Sequence, residues 1–579
     1  MSDEKKIGVY ICHCGGNISD YVDVERVRAA VENEPGVEIA KTTVFACSDA
    51  SQQEMIEDIG EYGLNGMVVS SCSPKLHLMT FRGVSKRGGL NPYQYEQVNI
   101  REQDSWAHTD DREGATQKAI ALVKAGIAKA RLARPLEPIR IDTVPRALVI
   151  GGGISGLRSA LALADFGLGV YLVEKTDTLG GLVANRKSIF MDRKNGAELV
   201  TELIEALRSR DNVQILMNAE LVEKKGSVGN FDVGIKNESG ETFTFNVGSI
   251  IIATGAEPYD PAEQEYGRGL PGVLTLTEFL DLVDAAEDEG GLQYNDRDVE
   301  SIAYIYCVGS RADEDDPSGR TYCSRYCCSA ALHSAVEAAH KAPDLRQYHL
   351  YRDIRTYGKY ETIYEEASRT GSFIMRWLPE DPPEVSEGED GKLLVRVTDQ
   401  LTENQKVALD VDLVVLVTGL VPRKNETLQN VLKVPIGNGG FYNEIHPKLR
   451  PVETVHDGQF LAGSCQFPKP ITESVAAGLA ATAKTAALLL KGYVELEPLV
   501  ASVKTDACVW CNDCSVACPY DAIGKVAFEA KEIAQVNRAL CKGCGACVPA
   551  CNQNAIELEG YRDDQVKAAI AQLAKVVIP

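Results

Sequence analysis

The stretch ALVIGGGISGLRSALALADFGLGVYLVE, Ala147–Glu174, decides the fold at the centre of this chain. Ala147–Ile150 is a short apolar run and is predicted to be a buried strand. Gly151-Gly152-Gly153-Ile154-Ser155-Gly156 follows, and then an apolar helix over Leu157–Phe166. A second strand, Gly169–Val173, ends at Glu174, 18 residues after the last glycine. A lone G-x-G-x-x-G is weak. Strand, glycines, helix, strand and acidic end together make the full dinucleotide-binding fingerprint. Gly151 makes the tight turn, Gly153 lets a pyrophosphate approach the backbone, and Gly156 lets helix pack on strand. The helix N-terminus then faces the diphosphate, and Glu174 is expected to accept from the ribose. A glycine-rich turn without a ligand is the plain alternative, and the complete βαβ context outweighs it.

Two features favour FAD over NAD. Gly180-Gly181 lies just after the Glu174 strand, where two-dinucleotide flavoproteins carry a glycine pair. Ser249–Gly255 (SIIIATG) reads as a buried strand ending in Ala253-Thr254-Gly255, and Leu413–Gly419 (LVVLVTG) echoes it. Phe460–Gly463 resembles a last flavin strand, with Ser464 where an aspartate is usual. These motifs resemble the thioredoxin-reductase branch of flavoproteins. The residues expected around FAD are Gly151, Gly153, Ile154, Ser155, Gly156, Glu174, Lys175, Gly180, Gly181, Leu182, Ala253, Thr254, Gly255, Gly419, Gly463 and Ser464. That branch places a nicotinamide domain between its halves. Here the strand Ser301–Tyr306 runs into Cys307-Val308-Gly309-Ser310-Arg311, so the turn that would admit a second pyrophosphate is absent.

The chain has 579 residues, a length that suggests three or four domains, and 17 cysteines. An odd count cannot all pair as disulfides. There is no basic and apolar leader over Met1–Tyr10, so a reducing, cytoplasmic setting is expected. No run reaches the roughly 20 apolar residues of a membrane span. With 60 basic and 83 acidic residues the net charge is −23, which argues against a nucleic-acid binder.

The cysteines fall into groups of four. Cys508, Cys511, Cys514 and Cys518 follow C-x2-C-x2-C-x3-C with Pro519 after, and Cys541, Cys544, Cys547 and Cys551 repeat the spacing 33 residues on. This is the bacterial two-cluster ferredoxin run, in which the fourth cysteine ligates the other cluster. One [4Fe–4S] is therefore expected on Cys508, Cys511, Cys514 and Cys551, the other on Cys541, Cys544, Cys547 and Cys518. Zinc knuckles do not repeat this spacing. Cys307, Cys323, Cys327 and Cys328 sit between a strand end and a helix read as Ser329–His340. They are expected to hold a cluster where the nicotinamide would lie, with a Cys327–Cys328 redox disulfide as the rival. Near the N-terminus, Lys6–Ile11, Thr43–Ala46 and Met67–Ser70 read as strands and Val24–Glu32 and Gln52–Tyr62 as helices, an α/β pattern with a parallel sheet. Cys12, Cys14, Cys47 and Cys72 follow strand ends, the edge where α/β sheets bind ligands. They are the fourth expected metal site, with buried structural thiols as the alternative. Cys465 is left over, either an inert thiol or a redox neighbour of the flavin.

At this point the chain resembles a known family. VYICHCGGNI, FACSDASQ, VVSSCSPKLH, FRGVSKRGGLNPYQYEQVNIRE, ALVIGGGISGL and YCSRYCCSAALH are similar to the flavin-carrying A subunits of heterodisulfide reductases, over essentially the whole length. The resemblance implies an α/β multidomain fold. Residues 1–132 would form an N-terminal α/β iron–sulfur domain and 133–145 a linker. Residues 146–495 would form a thioredoxin-reductase-like FAD domain, with its cluster site within about 300–410. Residues 496–579 would form an α+β 2[4Fe–4S] ferredoxin domain with a C-terminal helix.

The implied cofactors are FAD and four [4Fe–4S] clusters. The implied activity is flavin-based electron bifurcation in an anaerobic, methanogenesis-type oxidoreductase. A hydrogenase or formate dehydrogenase, through a small [2Fe–2S] linking subunit, would donate electrons. Ferredoxin and a disulfide-reducing B/C module would accept them, within a complex built on a homodimer. Family members often carry a second ferredoxin module in the flavin domain, which Gly229–Gly255 does not hold. They also carry a cysteine-rich stretch after the glycine pair, and Ala184–Gly196 has no cysteine. A lysine common five residues after the double cysteine is here His333, expected to titrate near neutrality and to act at the flavin, with a plain surface histidine as the equal alternative. Two other readings stand beside this one. The first is an NAD(P)H-dependent disulfide reductase, against which the Cys307–Arg311 turn argues. The second is a non-bifurcating electron-transfer protein, as in class II benzoyl-coenzyme A reductase.

Overall fold

The computed structural model describes residues 5–190, 193–287, 291–316 and 318–575; part of the Met1–Tyr10 stretch read for a leader lies outside them. The chain forms two compact units, one from residues 1–140 with 495–579 and the other from 141–494.

The first unit starts from a parallel four-stranded sheet. Its strands are β1 (Ile7–Cys12), β2 (Val37–Thr43), β3 (Gly66–Ser71) and β4 (Tyr95–Asn99), in the order β2-β1-β3-β4. β1 and β3 are central and every residue in them is buried, as expected of parallel strands covered on both faces. β2 lies at an edge and is half-buried, and it ends at Thr43, where the sequence pattern places a strand's start. The polar alternation of Val37–Lys41 hides it. The helices are α1 (Val24–Val31), α2 (Asp49–Glu61), α3 (Pro74–Arg87) and α4 (Arg112–Arg131). Ser48 and Ser73 cap α2 and α3 by accepting from the backbone N–H groups of Ser51 and Lys75.

Residues 495–579 add two small antiparallel pairs to the same unit, Ile523–Phe528 with Lys531–Val536 and Ala501–Val503 with Ile556–Leu558. A final helix, Asp563–Leu573, packs on α4. The core of this part is mostly cysteine and small apolar residues.

The second unit holds two parallel sheets. The first runs Gln459–Leu461, Ser249–Ile252, Arg146–Ile150, Gly169–Val173, Val213–Leu216. The second runs Val273–Thr275, Leu413–Thr418, Ser301–Val308, Arg346–Tyr351, Phe373–Arg376. Each is accompanied by a three-stranded antiparallel sheet. The stretch read as a linker contains a short strand, Ile139–Asp142. The helix after the central cysteines spans Cys327–Lys341, so Cys327 and Cys328 lie in its first turn rather than on a preceding loop. Among the described residues no helix is long and apolar enough to cross a membrane.

Candidate functional site

The glycine loop 151–156 joins the strand Arg146–Ile150 to helix α5 (Ile154–Asp165). Gly151 adopts φ +109°, and a Cβ there would stand 2.4 Å from the carbonyl oxygen of Ala253. A Cβ on Gly156 would stand 1.9 Å from the Gly151 carbonyl oxygen, so only glycine lets the helix rest on the strand. Beside Gly153 nothing lies within 4 Å of a Cβ position. No side chain caps α5, so its first N–H groups remain available to an anion.

These elements open on a cavity of about 940 Å³, a volume suited to a large cofactor. Of the residues expected around FAD, Gly151, Gly153, Ile154, Ser155, Glu174, Lys175, Gly180, Gly181, Leu182, Ala253, Thr254, Gly255 and Ser464 line it. Gly156 lies behind the wall, against Gly151. Gly463 backs onto Ser155, where a Cβ would come within 2.3 Å of the hydroxyl oxygen. Gly419 lies apart, against Ser310 and Ser324 at the end of the Leu413–Thr418 strand.

Glu174 accepts from the Gly152 N–H at 2.7 Å and from the Thr176 N–H and hydroxyl at 2.9 and 3.0 Å, which anchors the loop and leaves one lone pair free on Oε2. The Thr254 hydroxyl is buried at the cavity wall without a partner, a polar group awaiting a ligand. The glycine cradle, the uncapped helix and this orphan hydroxyl fit a bound dinucleotide.

One wall comes from the cysteine helix. Tyr326, Ala330 and His333 line the cavity, while Cys327 and Cys328 open the same helix. At 1.5 Å per residue, Ala330 and His333 stand about 3 and 7.5 Å along the axis from Cys328. His333 Nε2 lies 3.0 Å from the Ser188 hydroxyl. Burial lowers its pKa to about 4, so His333 is neutral at physiological pH rather than titrating near neutrality. Lys469, for which the sequence carries no motif, also lines the cavity. Its Nζ donates to Gln466 Oε1 at 3.2 Å, and burial lowers its pKa. Cys465 is fully enclosed outside the lining, with its thiol on the carbonyls of Ile252 and Ala462. Burial raises its pKa to about 11, which suits the inert reading.

All 17 thiols are free, and several act electrostatically on one another within the groups read from the sequence. Cys327 donates to Cys328, and this contact and burial push its thiol well above the ordinary range, with Cys307 and Cys323 adding to the effect. Cys12 is raised to about 11 by burial and then by Cys14 and Cys47, and Cys14 also neighbours Cys72. In the last part of the chain the neighbours cross between runs. Cys514 faces Cys511, Cys508 and Cys551, while Cys547 faces Cys541, Cys518 and Cys544.

Among the described residues, no three His, Cys, Asp or Glu side chains converge tightly enough to grip one metal ion. Free thiols that act on one another as these do have the chemistry of an iron–sulfur cluster held by four thiolates. Backbone N–H groups already aim at these sulfurs: Cys14 and Ala46 donate to Cys12 Sγ at 3.2 and 3.3 Å, and Ala534 and Ala555 donate to Cys508 and Cys551 at 3.3 and 3.2 Å.

Residues 145–310 match the pyridine nucleotide-disulphide oxidoreductase family, and residues 534–557 match the 4Fe-4S binding domain. The chain is 36% identical to the A subunit of the H(2):CoB-CoM heterodisulfide,ferredoxin reductase of Methanothermobacter marburgensis, over 90% of this chain and 91% of that one. It is 37% identical to an iron-sulfur A subunit of the CoB-CoM heterodisulfide reductase of Methanopyrus kandleri, over 91% and 92%. It is 32% identical to the A subunit of the H(2)/formate:CoB-CoM heterodisulfide,ferredoxin reductase of Methanococcus maripaludis, over 98% of both chains. A flavin domain of the pyridine nucleotide-disulphide oxidoreductase type and a 4Fe–4S domain thus sit in one oxidoreductase chain, and that chain belongs to the family of heterodisulfide reductase A subunits.

Proposed function

We propose that this chain is the electron-distributing subunit of a heterodisulfide reductase complex and that it carries out flavin-based electron bifurcation. Electrons would arrive from a hydrogenase or formate dehydrogenase and leave toward ferredoxin and toward a B/C-type module that reduces a disulfide. The names of the relatives, with their H(2), formate, heterodisulfide and ferredoxin, support this assignment. FAD, when bound, supplies the exchange between electron pairs and single electrons, and four [4Fe–4S] clusters supply one-electron carriers.

The observation that carries the reading is the shared helix Cys327–Lys341, with two thiols in its first turn and cavity-lining residues in its next turns. A cluster at Cys307, Cys323, Cys327 and Cys328 would lie within a helical turn or two of the flavin cavity. The protein's own residues hold and orient. The glycine loop and Glu174 seat the dinucleotide, neutral His333 offers a hydrogen-bonding nitrogen at the cavity wall, and the cysteines fix the clusters. The other twelve ligands would be Cys12, Cys14, Cys47 and Cys72 and the two crossed ferredoxin quartets.

The test uses the purified complex with its donor under anaerobic conditions. Ferredoxin reduction is expected only when the heterodisulfide is also present and being reduced, in a fixed ratio. Ferredoxin reduction that proceeds equally well without heterodisulfide would overturn bifurcation and favour simple electron transfer. Iron analysis should find about 16 iron per chain, four for each of four clusters.

A further inference from the structure

Two cysteine quartets have a guanidinium at a ligand sulfur. Arg101 Nη1 donates to Cys14 Sγ at 3.2 Å. Its Nη2 donates to Glu102 Oε1 at 2.7 Å, and its guanidinium lies 4.6 Å from the centre of the Trp106 ring. Its side chain is 14% exposed, and its Nε is buried without a partner. Arg101 opens the short π-helical turn Arg101–Ser105 directly after β4. It therefore stands on the same sheet edge as Cys12 and Cys72, and its charge also acts on Cys72.

In the second unit Arg311 Nη1 lies 3.7 Å from Cys307 Sγ and Nη2 donates to Asp353 Oδ2 at 2.7 Å. Its side chain is 17% exposed. Its backbone is pinned, with N–H donating to the Tyr322 carbonyl at 2.8 Å and carbonyl accepting from Arg352 Nη1 at 2.7 Å. Cys307, Gly309 and Arg311 all adopt positive φ, at +69°, +72° and +57°. This turn, in place of a phosphate-binding glycine loop, curls the arginine back onto the sulfur. In the ferredoxin quartets, by comparison, backbone amides of Ala501, Ala522, Ala534 and Ala555 reach Cys541, Cys518, Cys508 and Cys551.

We propose that Arg101 and Arg311 are potential-setting residues, each holding its quartet's cluster in a more easily reduced state. The inference rests on the reading that these quartets carry [4Fe–4S] clusters. Each cluster takes up one electron and passes one on, and no bond to the arginine forms or breaks. The reduced cluster carries one more negative charge than the oxidised one. A fixed cation hydrogen-bonded to a ligand sulfur therefore favours the reduced state, and net charge and sulfur hydrogen bonds are the protein's main levers on this potential. Glu102 and Asp353 share each guanidinium and moderate its effect. The arginines are positioning residues, acting through the thiolates.

The test is an EPR-monitored redox titration of anaerobic, full-length protein with FAD and clusters loaded. Arg101→Gln is expected to lower one midpoint and Arg311→Gln a different one. Each change in the reduction equilibrium should be at least tenfold, or about 59 mV for a one-electron couple. Glu102→Gln and Asp353→Asn should move the same midpoints upward. The ferredoxin-module signals should stay in place in all four variants and serve as the internal reference. Unchanged or raised midpoints in the glutamine variants at full iron content overturn the proposal. Should either glutamine variant lose iron, the matching carboxylate variant decides, since a midpoint that fails to rise there overturns the proposal equally. Wild-type protein with about 12 iron or fewer overturns the cluster reading itself, and the inference with it, before any potential is measured.

Discussion

Glu174 and His333 show how far single residues are legible. The spacing from the glycine loop is enough to single out Glu174, because a ribose-binding carboxylate must follow the second strand at a fixed remove. His333 stands out by its distance from the double cysteine, and it does line the cavity. Its charge state is not legible, because burial depends on what surrounds the helix; it lowers the pKa to about 4 instead of leaving it near neutrality.

Asp104 leaves no trace in the sequence at all. It is fully buried in the π-helical turn beside Arg101, with neither carboxylate oxygen partnered, and burial raises its pKa to about 7. The folded state therefore holds this proton more tightly than the unfolded chain, whose aspartates titrate near 3.9. Stability should fall as pH rises through that window, reaching a cost of a few kcal/mol above pH 7. Asp104→Asn is accordingly expected to raise the anaerobic thermal midpoint at pH 8 by more than it does at pH 5. An equal gain at both pH values would show that the carboxyl is not held neutral by burial.

Elements with a strong local pattern are legible. Gly169–Val173 is a strand with the expected bounds, and Arg146–Ile150 and Ser301–Val308 differ from expectation by one or two residues. Buried parallel strands are near-continuous apolar runs, and that signal survives without tertiary context. Edge strands lack it. The sequence pattern misplaces β2 and hides β4, whose Tyr-Glu-Gln-Val-Asn buries only two residues set three apart, along with the arginine that follows it. The helix starting at Cys327 reads as a loop there, because two cysteines carry little helix propensity and no side-chain cap marks the start.

The glycine loop gives an element-scale prediction. Gly156→Ala sets a Cβ 1.9 Å from a backbone oxygen and must push α5 off its strand. The flavin absorbance per chain should fall by at least tenfold, while the iron content stays near that of the wild type. A variant that keeps its flavin would show that the helix can shift without opening the cavity floor.

At the scale of the molecule, the two units divide the cysteines unequally. The N-terminal quartet and both ferredoxin quartets lie in the unit of residues 1–140 and 495–579, and the central quartet and Cys465 lie in the other. Cys323→Ser is therefore expected to lower iron from about 16 to about 12 per chain while leaving the ferredoxin-module EPR signals unchanged. Loss of those signals as well would mean that the two units do not assemble their clusters independently.

The sequence by itself determined the chemistry, because cofactor motifs are local. The glycine loop needs about thirty consecutive residues and each ferredoxin run needs eleven. It therefore carries the expectation of a dinucleotide site and of crossed cysteine runs, and it shows the likeness to heterodisulfide reductases. Tertiary structure decided what depends on distant segments meeting: Cys12 with Cys47 and Cys14 with Cys72, a cysteine helix that also walls the flavin cavity, and arginines laid on two of the quartets. Spacing along a chain fixes geometry only within a turn or a loop. Burial, charge pairing and the surroundings of a sulfur are set by packing, and these are the quantities that tune electron transfer.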